Sequence, residues 1–309
     1  MTGHNVAILG GGGFVGRAIG RGLLERQANV VCLNRRGESG DRRIPGIRVE
    51  RGDPQQVAGV LDRVQADIVI DCIGLFEHDT LPLIDALDSR GGRYVLLSSC
   101  DVYAAFGRVL GTEPGDVDNS PLVEASPIRT VLHPYARLGG PAEYDKIPLE
   151  TYALNASQLG TRIARLPAMF GPGDPRHRFR DVVECVSNGT ALEISKVKAA
   201  WRFAMVYVED VGDGVAIYAL KEDPVPSILH FGPDQHPTQA ETQREFASAA
   251  GHELSMEIAG RDEEGRYDQH IMIDSSRARK ELCWSPKTEI TDAYRETWAW
   301  EAGLFPKTA

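Results

Sequence analysis

The sequence predicts a doubly wound α/β fold, a parallel sheet with helices on both faces, carrying a smaller C-terminal α+β lobe. Three observations predict it. Short Val/Ile/Leu runs alternate with stretches of helical spacing, the pattern of strands covered on both faces. The first run ends in a glycine cluster, "AILGGGGFVGRAIG". After Gly171 the texture changes to turn-rich loops, short strands and helices, which suggests a second, smaller lobe.

In chain order, "NVAILG" is the first strand, and "FVGRAIGRGLLERQ" is a helix with Val15, Ile19, Leu23 and Leu24 on its apolar side. "NVVCLN", "IRVERGD", "DIVIDCIG" and "RYVLLSS" supply the next strands, and "TRIARLPAMF" a sixth. "GPGDPRHR" is a turn-rich loop. "VYVEDVGDGVAIYAL" reads as a strand end followed by a helix with Val211, Val215 and Tyr218 on one face, and "SILHFGPD" as another strand. The tail from Thr238 is mostly helical, with "SSRARKEL" capped by Ser275 or Ser276.

Composition narrows the function classes. Of 309 residues, 42% are hydrophobic and 25% charged, as in a soluble globule. A formal charge of −10 and a pI near 5.3 count against nucleic acid or an anionic membrane as the main partner, and so against an RNA-binding reading. Cys32, Cys72, Cys100, Cys185 and Cys283 form no C-x-x-C pair, so no metal site is expected. The chain opens directly on a strand pattern and has no bilayer-length apolar run, so a cytoplasmic protein is expected.

The glycine cluster contains Gly10-x-x-Gly13-x-x-Gly16 between a strand and a helix. Such a loop turns sharply and lets its backbone touch a pyrophosphate at the positive end of the helix. A side chain at Gly13 would occupy the phosphate's space, and one at Gly16 would push helix from strand. Phe14 and Val15 complete the turn. At the end of the second strand, Asn34-Arg35-Arg36 stands where an acid would hold a ribose 2′-hydroxyl, and suits a 2′-phosphate instead. NADP is therefore the expected cofactor, ahead of NAD. Asp53, after the third strand, suits either an adenine contact or a helix cap before Pro54. Cys72, Ile73 and Gly74, at the end of the fourth strand, are further candidates for the cofactor cleft.

With "GGGGFVG", Gly52-Asp53, "LLSSCDVY", "DKIPLE", "RLPAMFGPGD", "VYVEDVGDGVA" and "DSSRARKELCWSPKTEITDAYRETWAW" in this order, the chain resembles the extended short-chain dehydrogenase/reductases, the NAD(P)-dependent epimerase/dehydratase family. The resemblance implies a Rossmann domain over 1–171 plus about 203–232, and a substrate lobe over 172–202 and 233–309. It implies that Ser99 bonds the reacting oxygen, that Lys146 bonds the nicotinamide ribose and lowers a neighbouring phenol's pKa, and that Leu166, Pro167 and Met169 lie beside the nicotinamide. Asp101 falls where the family's dehydratases keep an acid, or forms an Asx turn. Tyr103, Arg178 and Arg202 are further substrate candidates, with His177 and Arg180 near them. A homodimer is compatible with the sequence.

Two positions depart from the family. Its catalytic tyrosine, four before the lysine, is Ala142, and an asparagine that many sugar-nucleotide enzymes place near substrate is Ala168. "EYDKIPLE" offers Tyr144 instead, two before Lys146. Residues two apart do not share a helix face but do share a side of an extended segment. Pro148 is tolerated only in a helix's first turn, so the helix should begin near Lys146 and leave Tyr144 in an extended approach. Tyr144 is thus the expected proton donor, with Tyr103, Tyr135 and His133 as rivals. The expected activity is hydride transfer at a hydroxyl or carbonyl of a sugar derivative or similar polyol. The alternative is a non-catalytic dinucleotide-binding sensor or scaffold.

Overall fold

The computed structural model describes residues 3–222, 224–260 and 267–304; residues 261–266 and 305–309 of the expected substrate lobe lie outside them. β1 (Asn5–Leu9) leads through the glycine turn into α1 (Phe14–Glu25), and β2 (Asn29–Asn34) and β3 (Gly46–Arg48) follow. Then come α2 (Pro54–Arg63), β4 (Ile68–Asp71), α3 (Glu77–Arg90), β5 (Gly92–Ser99) and the short α4 (Ala104–Val109). A long loop leads to α5 (Ile147–Asn155), β6 (Leu159–Leu166) and β7 (Ala168–Phe170). The remainder is α6 (Arg180–Asn188), β8 (Leu192–Ile194), α7 (Lys196–Ala200), β9 (Met205–Tyr207), α8 (Val208–Leu220), β10 (Ile228–His230), α9 (Gln239–Ala249), β11 (Met256–Ile258), α10 (Ser276–Leu282) and α11 (Ile290–Ala302).

Seven strands form one parallel sheet in the order β10-β6-β5-β4-β1-β2-β3. The winding reverses beside β1, which pairs with β2 on one side and β4 on the other, so the glycine turn opens at the crevice where such sheets bind ligands. Period-two alternation splits β1 between two cores. Val6 and Ile8 pack with Ile19, Leu23, Val211 and Val215 of α1 and α8, while Ala7 and Leu9 pack with Val57, Leu83 and Leu149 of α2, α3 and α5. Helices α1 and α8 approach closely because glycine sits between them: a Cβ on Gly212 would lie 2.4 Å from the carbonyl carbon of Ala18. Among the described residues no helix is long and apolar enough to cross a membrane.

Three local expectations are corrected. "TRIARLPAMF" is two strands: Pro167 has no N–H for the ladder, so β6 ends at Leu166 and β7 pairs with β9 outside the main sheet. The third strand is only Gly46–Arg48. Ser275 occupies the N-cap of α10 without capping it, because its hydroxyl accepts from Gly232 N.

The loop between α4 and α5 is stitched down by one buried ion pair. Arg129 donates through Nη2 to Asp145 Oδ1 at 2.8 Å, both side chains fully buried, and also to the carbonyls of Asp101 and Val131. Asp145 in turn accepts from the backbone N–H groups of His133 and Ile147. The pair thereby fixes the approach to α5, which begins after Lys146 with Pro148 in its first turn.

Candidate active site

The turn after β1 has the shape that a dinucleotide pyrophosphate requires. Gly10 adopts φ +80°, a conformation that disfavours side chains. A Cβ on Gly16 would come within 2.5 Å of Gly10 O and 2.7 Å of Gly11 Cα, so helix and strand can meet only at glycine. A Cβ on Gly13 would meet only Gly10 O, at 3.2 Å, and otherwise project into open space. Gly13 is also the N-cap of α1 and offers no side chain to the helix's free N–H groups. A backbone cradle that added Cβ atoms would fill, at an uncapped helix start, fits a phosphate-bearing cofactor. Phe14 opens α1 and lines the adjoining cleft, while Val15 packs against the core beneath. Cys72 and Ile73 abut Gly10 from just past β4, where an added Cβ would strike Ile73 Cγ2 at 2.6 Å.

At the end of β2 the three polar residues divide their work. Asn34 is used by the turn: Oδ1 accepts from Arg36 N and Gly37 N at 2.9 Å each, and Nδ2 donates to Glu38 O. Asn34 is therefore a turn former, and its side chain has little left for a phosphate. Arg35 and Arg36 are exposed, and neither guanidinium has a partner among the described residues. Asp53 is the N-cap of α2, its Oδ1 accepting from Gln56 N at 2.9 Å, which is the cap reading of that residue.

Beyond the turn lies a cleft of about 350 Å³ lined by Phe14, Ser99, Asp101, Tyr135, Tyr144, Leu166, Pro167, Met169, Arg176, Arg178 and Phe203. Tyr144 forms an isolated antiparallel bridge with Phe76, so it sits in an extended segment before α5, as the proline required. Lys146 Nζ lies 5.9 Å from the centre of its ring. The Tyr144 hydroxyl donates to Asp101 Oδ2 at 3.0 Å, and Ser99 lines the same cleft. Ser99 Oγ also accepts from Asp101 N at 3.1 Å. Tyr135 donates to the same Asp101 oxygen at 3.2 Å, and the two tyrosine rings are 5.6 Å apart.

These contacts set the ionisation of the site. Burial, and then the Asp101 charge, push the Tyr144 phenol well above its ordinary value. Burial raises Asp101 as well, against the opposing pull of Arg129 and the two phenols, and its Oδ1 is buried without a partner. Lys146 is 4% exposed; it donates to the carbonyls of Gly74 and Leu97, and burial lowers its pKa. Burial beside a carboxylate outweighs the cation 5.9 Å from the ring, and the phenol holds its proton.

Two of the three substrate candidates lie away from the cleft. Tyr103 is fully buried, its hydroxyl bonded to His230 and to Arg165 Nη1, so it belongs to the frame and not to the cleft. Arg202 donates to His236 O and does not line the cleft. Arg178 does line the cleft, where Asp174 holds its guanidinium at 2.7 Å. His177 and Arg180 pair with Glu301 of α11. Arg176, which sequence reasoning passed over, lines the cleft with no side-chain partner among the described residues. Asp145 and Arg129 were missed too. Asp145 sits between Tyr144 and Lys146 in sequence, where an acid flanked by both could have drawn attention; nothing local marks Arg129.

A model of the NAD dependent epimerase/dehydratase family matches residues 6–231. The dTDP-6-deoxy-L-talose 4-dehydrogenase (NAD(P)(+)) of Kitasatospora kifunensis is 24% identical over 320 residues, covering 95% of this chain and 94% of that protein. Among solved structures, a UDP-glucose 4-epimerase from Stenotrophomonas maltophila with bound NAD and formylated UDP-arabinopyranose superposes with a TM-score of 0.77 at 18% identity, over 97% of this chain and 98% of that one. The Thermus thermophilus UDP-glucose 4-epimerase in complex with NAD gives 0.74 at 20% identity, over 97% and 100%. At these identities the structures share the fold.

Proposed function

The chain belongs to the NAD dependent epimerase/dehydratase family, an enzyme family of the extended short-chain type, and from that premise we propose an NADP(H)-dependent oxidoreductase acting on a hydroxyl or carbonyl of a sugar derivative or similar polyol. The observation that carries the reading is the Tyr144 hydroxyl, hydrogen-bonded to Asp101 at 3.0 Å and sharing with Ser99 the wall of the cleft beyond the glycine turn. Residues 1–171 with about 203–232 would serve the dinucleotide, and 172–202 with 233–309 the substrate. The glycine turn and the start of α1 would hold the pyrophosphate, Arg35 and Arg36 the 2′-phosphate, and Leu166, Pro167 and Met169 the nicotinamide side of the cleft. When bound, the nicotinamide supplies or takes the hydride.

The chain's own residues handle the proton. Ser99 orients the substrate oxygen. In carbonyl reduction the Tyr144 hydroxyl gives its proton to that oxygen, and protonated Asp101 replaces it through the 3.0 Å hydrogen bond. In alcohol oxidation the same chain runs backwards: the substrate hydroxyl proton passes to Tyr144 as Tyr144 passes its own to ionised Asp101. The raised pKa of Asp101 supports this role, because a carboxyl that ionises nearer working pH both gives and accepts a proton. The preference for NADP rests on the two guanidinium groups after β2, unpaired among the described residues, and on the lack of an acid at that strand end.

The test is a titration of the protein with NADPH and NADH, followed by turnover of a panel of keto-sugars read from nicotinamide absorbance. NADPH should bind about ten- to a hundredfold more tightly, the worth of one charge-assisted phosphate contact. Equal affinity, or tighter NADH, would remove the assignment of Arg35 and Arg36.

A further inference from the structure

A second cavity, of about 290 Å³, lies between β9, the 233–237 loop, α9 and the start of α11. Three of its lining residues combine deep burial with unused hydrogen-bonding capacity. Asp210 is 4% exposed, and Thr242 and Tyr294 are 3% exposed. Asp210 Oδ1 accepts from Lys287 N, Thr288 N and the Thr288 hydroxyl, while Oδ2 has no partner among the described residues. The hydroxyls of Thr242 and Tyr294 have none either, although other helical threonines here bond a carbonyl one turn back, as Thr297 does with Ala293. All three side chains are more than nine-tenths buried, yet each has an oxygen that no protein group uses at the wall of one cavity, so a ligand there would meet ready hydrogen-bonding groups.

The charge of the cavity narrows the class. Its cation, Lys287, shares Asp213 with Arg26, and its acid Asp234 is tied to Arg279. Asp210, Glu245 and Glu289 have no cationic partner among the described residues, so these three acids outnumber the one lysine and the wall is negative on balance. The remaining wall is apolar, with Phe203, Met205, Tyr207 and Ile290 facing the same space. Phosphates and carboxylates are repelled here. A cation gains a charge-assisted hydrogen bond from Asp210 and a favourable ring face from the aromatic wall.

We propose that this cavity binds a small organic cation, an ammonium group on an apolar body about the size of a single ring, with the ammonium at Asp210 and Tyr294 and the body against Met205, Tyr207 and Ile290. The site is separate from the glycine-turn cleft, and the proposal does not depend on the reaction assigned there. Phe203 alone among these residues also lines the cleft.

The test is calorimetric titration of the full chain with phenethylammonium, and with 2-phenylethanol and phenylacetate as the neutral and anionic probes of the same shape. Phenethylammonium should bind saturably at one site, at least about tenfold more tightly than either control, the scale of a charged hydrogen bond. Tyr294→Phe and Asp210→Asn should each weaken it by about the same factor; asparagine still offers an oxygen to the three donors of the 287–288 turn. Should Asp210→Asn fail to fold, Ile290→Trp keeps the question answerable. Ile290 is 46% exposed, so a larger side chain there is accommodated from the surface and closes the mouth; binding should be lost with the melting temperature unchanged. Absence of saturable phenethylammonium binding, phenylacetate binding as tightly, or undiminished affinity in Ile290→Trp would each overturn the proposal.

Discussion

Tyr144 and Asp101 share one proton path, and their ionisation predicts how the reaction responds to pH. Asp101 is raised by burial, so its carboxyl holds a proton to a higher pH than an exposed aspartate. Alcohol oxidation needs the ionised form, so kcat/KM for oxidation should fall as pH drops through that pKa. Carbonyl reduction needs the protonated form and should fall as pH rises through it. In Asp101→Asn both limbs should vanish and rates should drop by about 10²–10⁴, the usual worth of a positioned acid–base group. Profiles measured in both directions check this; a variant with the wild-type profile would exclude Asp101 from the path. At the cleft wall, Arg176→Ala should raise KM for an anionic sugar derivative by about ten- to a hundredfold, the worth of a charge-assisted hydrogen bond, with kcat little changed; an unchanged KM would show that Arg176 does not meet substrate. Sequence alone brought out Ser99, Tyr144 and Lys146 but misjudged depth. After β5 the chain enters a short 3-10 turn, Cys100–Val102, which buries Tyr103 and leaves Asp101 facing the phenols. No periodicity operates over so few residues, so spacing could not separate the two.

The displaced tyrosine is a property of the segment before α5. Pro148 forces the helix to begin after Lys146, and the Arg129–Asp145 pair clamps the extended stretch that carries Tyr144. Removing one member of a buried pair leaves the other charge unpaired, at a cost of about 3–5 kcal/mol. Arg129→Leu should lower stability by that amount and slow turnover by loosening Tyr144. Denaturant unfolding with a parallel rate measurement checks both; full activity with full stability would mean that the segment holds itself. At the other element boundary, Gly13→Val should abolish dinucleotide binding and leave the unfolding midpoint nearly unchanged, because its Cβ meets only Gly10 O and then open space. Proline at 148 was readable as a helix start from its covalent chemistry. Proline at 167 acts by the same chemistry, yet its effect was missed, because the apolar run continues unbroken on both sides of it.

Across the whole molecule, the strands of the first half and their parallel sense were legible, because double burial writes continuous apolar runs. Their spatial order was not, and neither was the place of β10 at the edge of the sheet beside β6, since pairing partners leave no local trace. The same limit applies to the site. Residues near one another in sequence, such as Tyr144 and Lys146, could be read together, whereas the meeting of Tyr135, Tyr144 and Asp101 depends on how the long loop folds back. The central claim is that this convergence is a working proton path built around a relocated tyrosine. Single-turnover oxidation of bound NADPH by a keto-sugar substrate, compared between the wild type and Tyr144→Phe, tests it most directly. The account predicts a fall of about 10²–10⁴ in the rate with NADPH affinity unchanged. A Tyr144→Phe enzyme as fast as the wild type would contradict it.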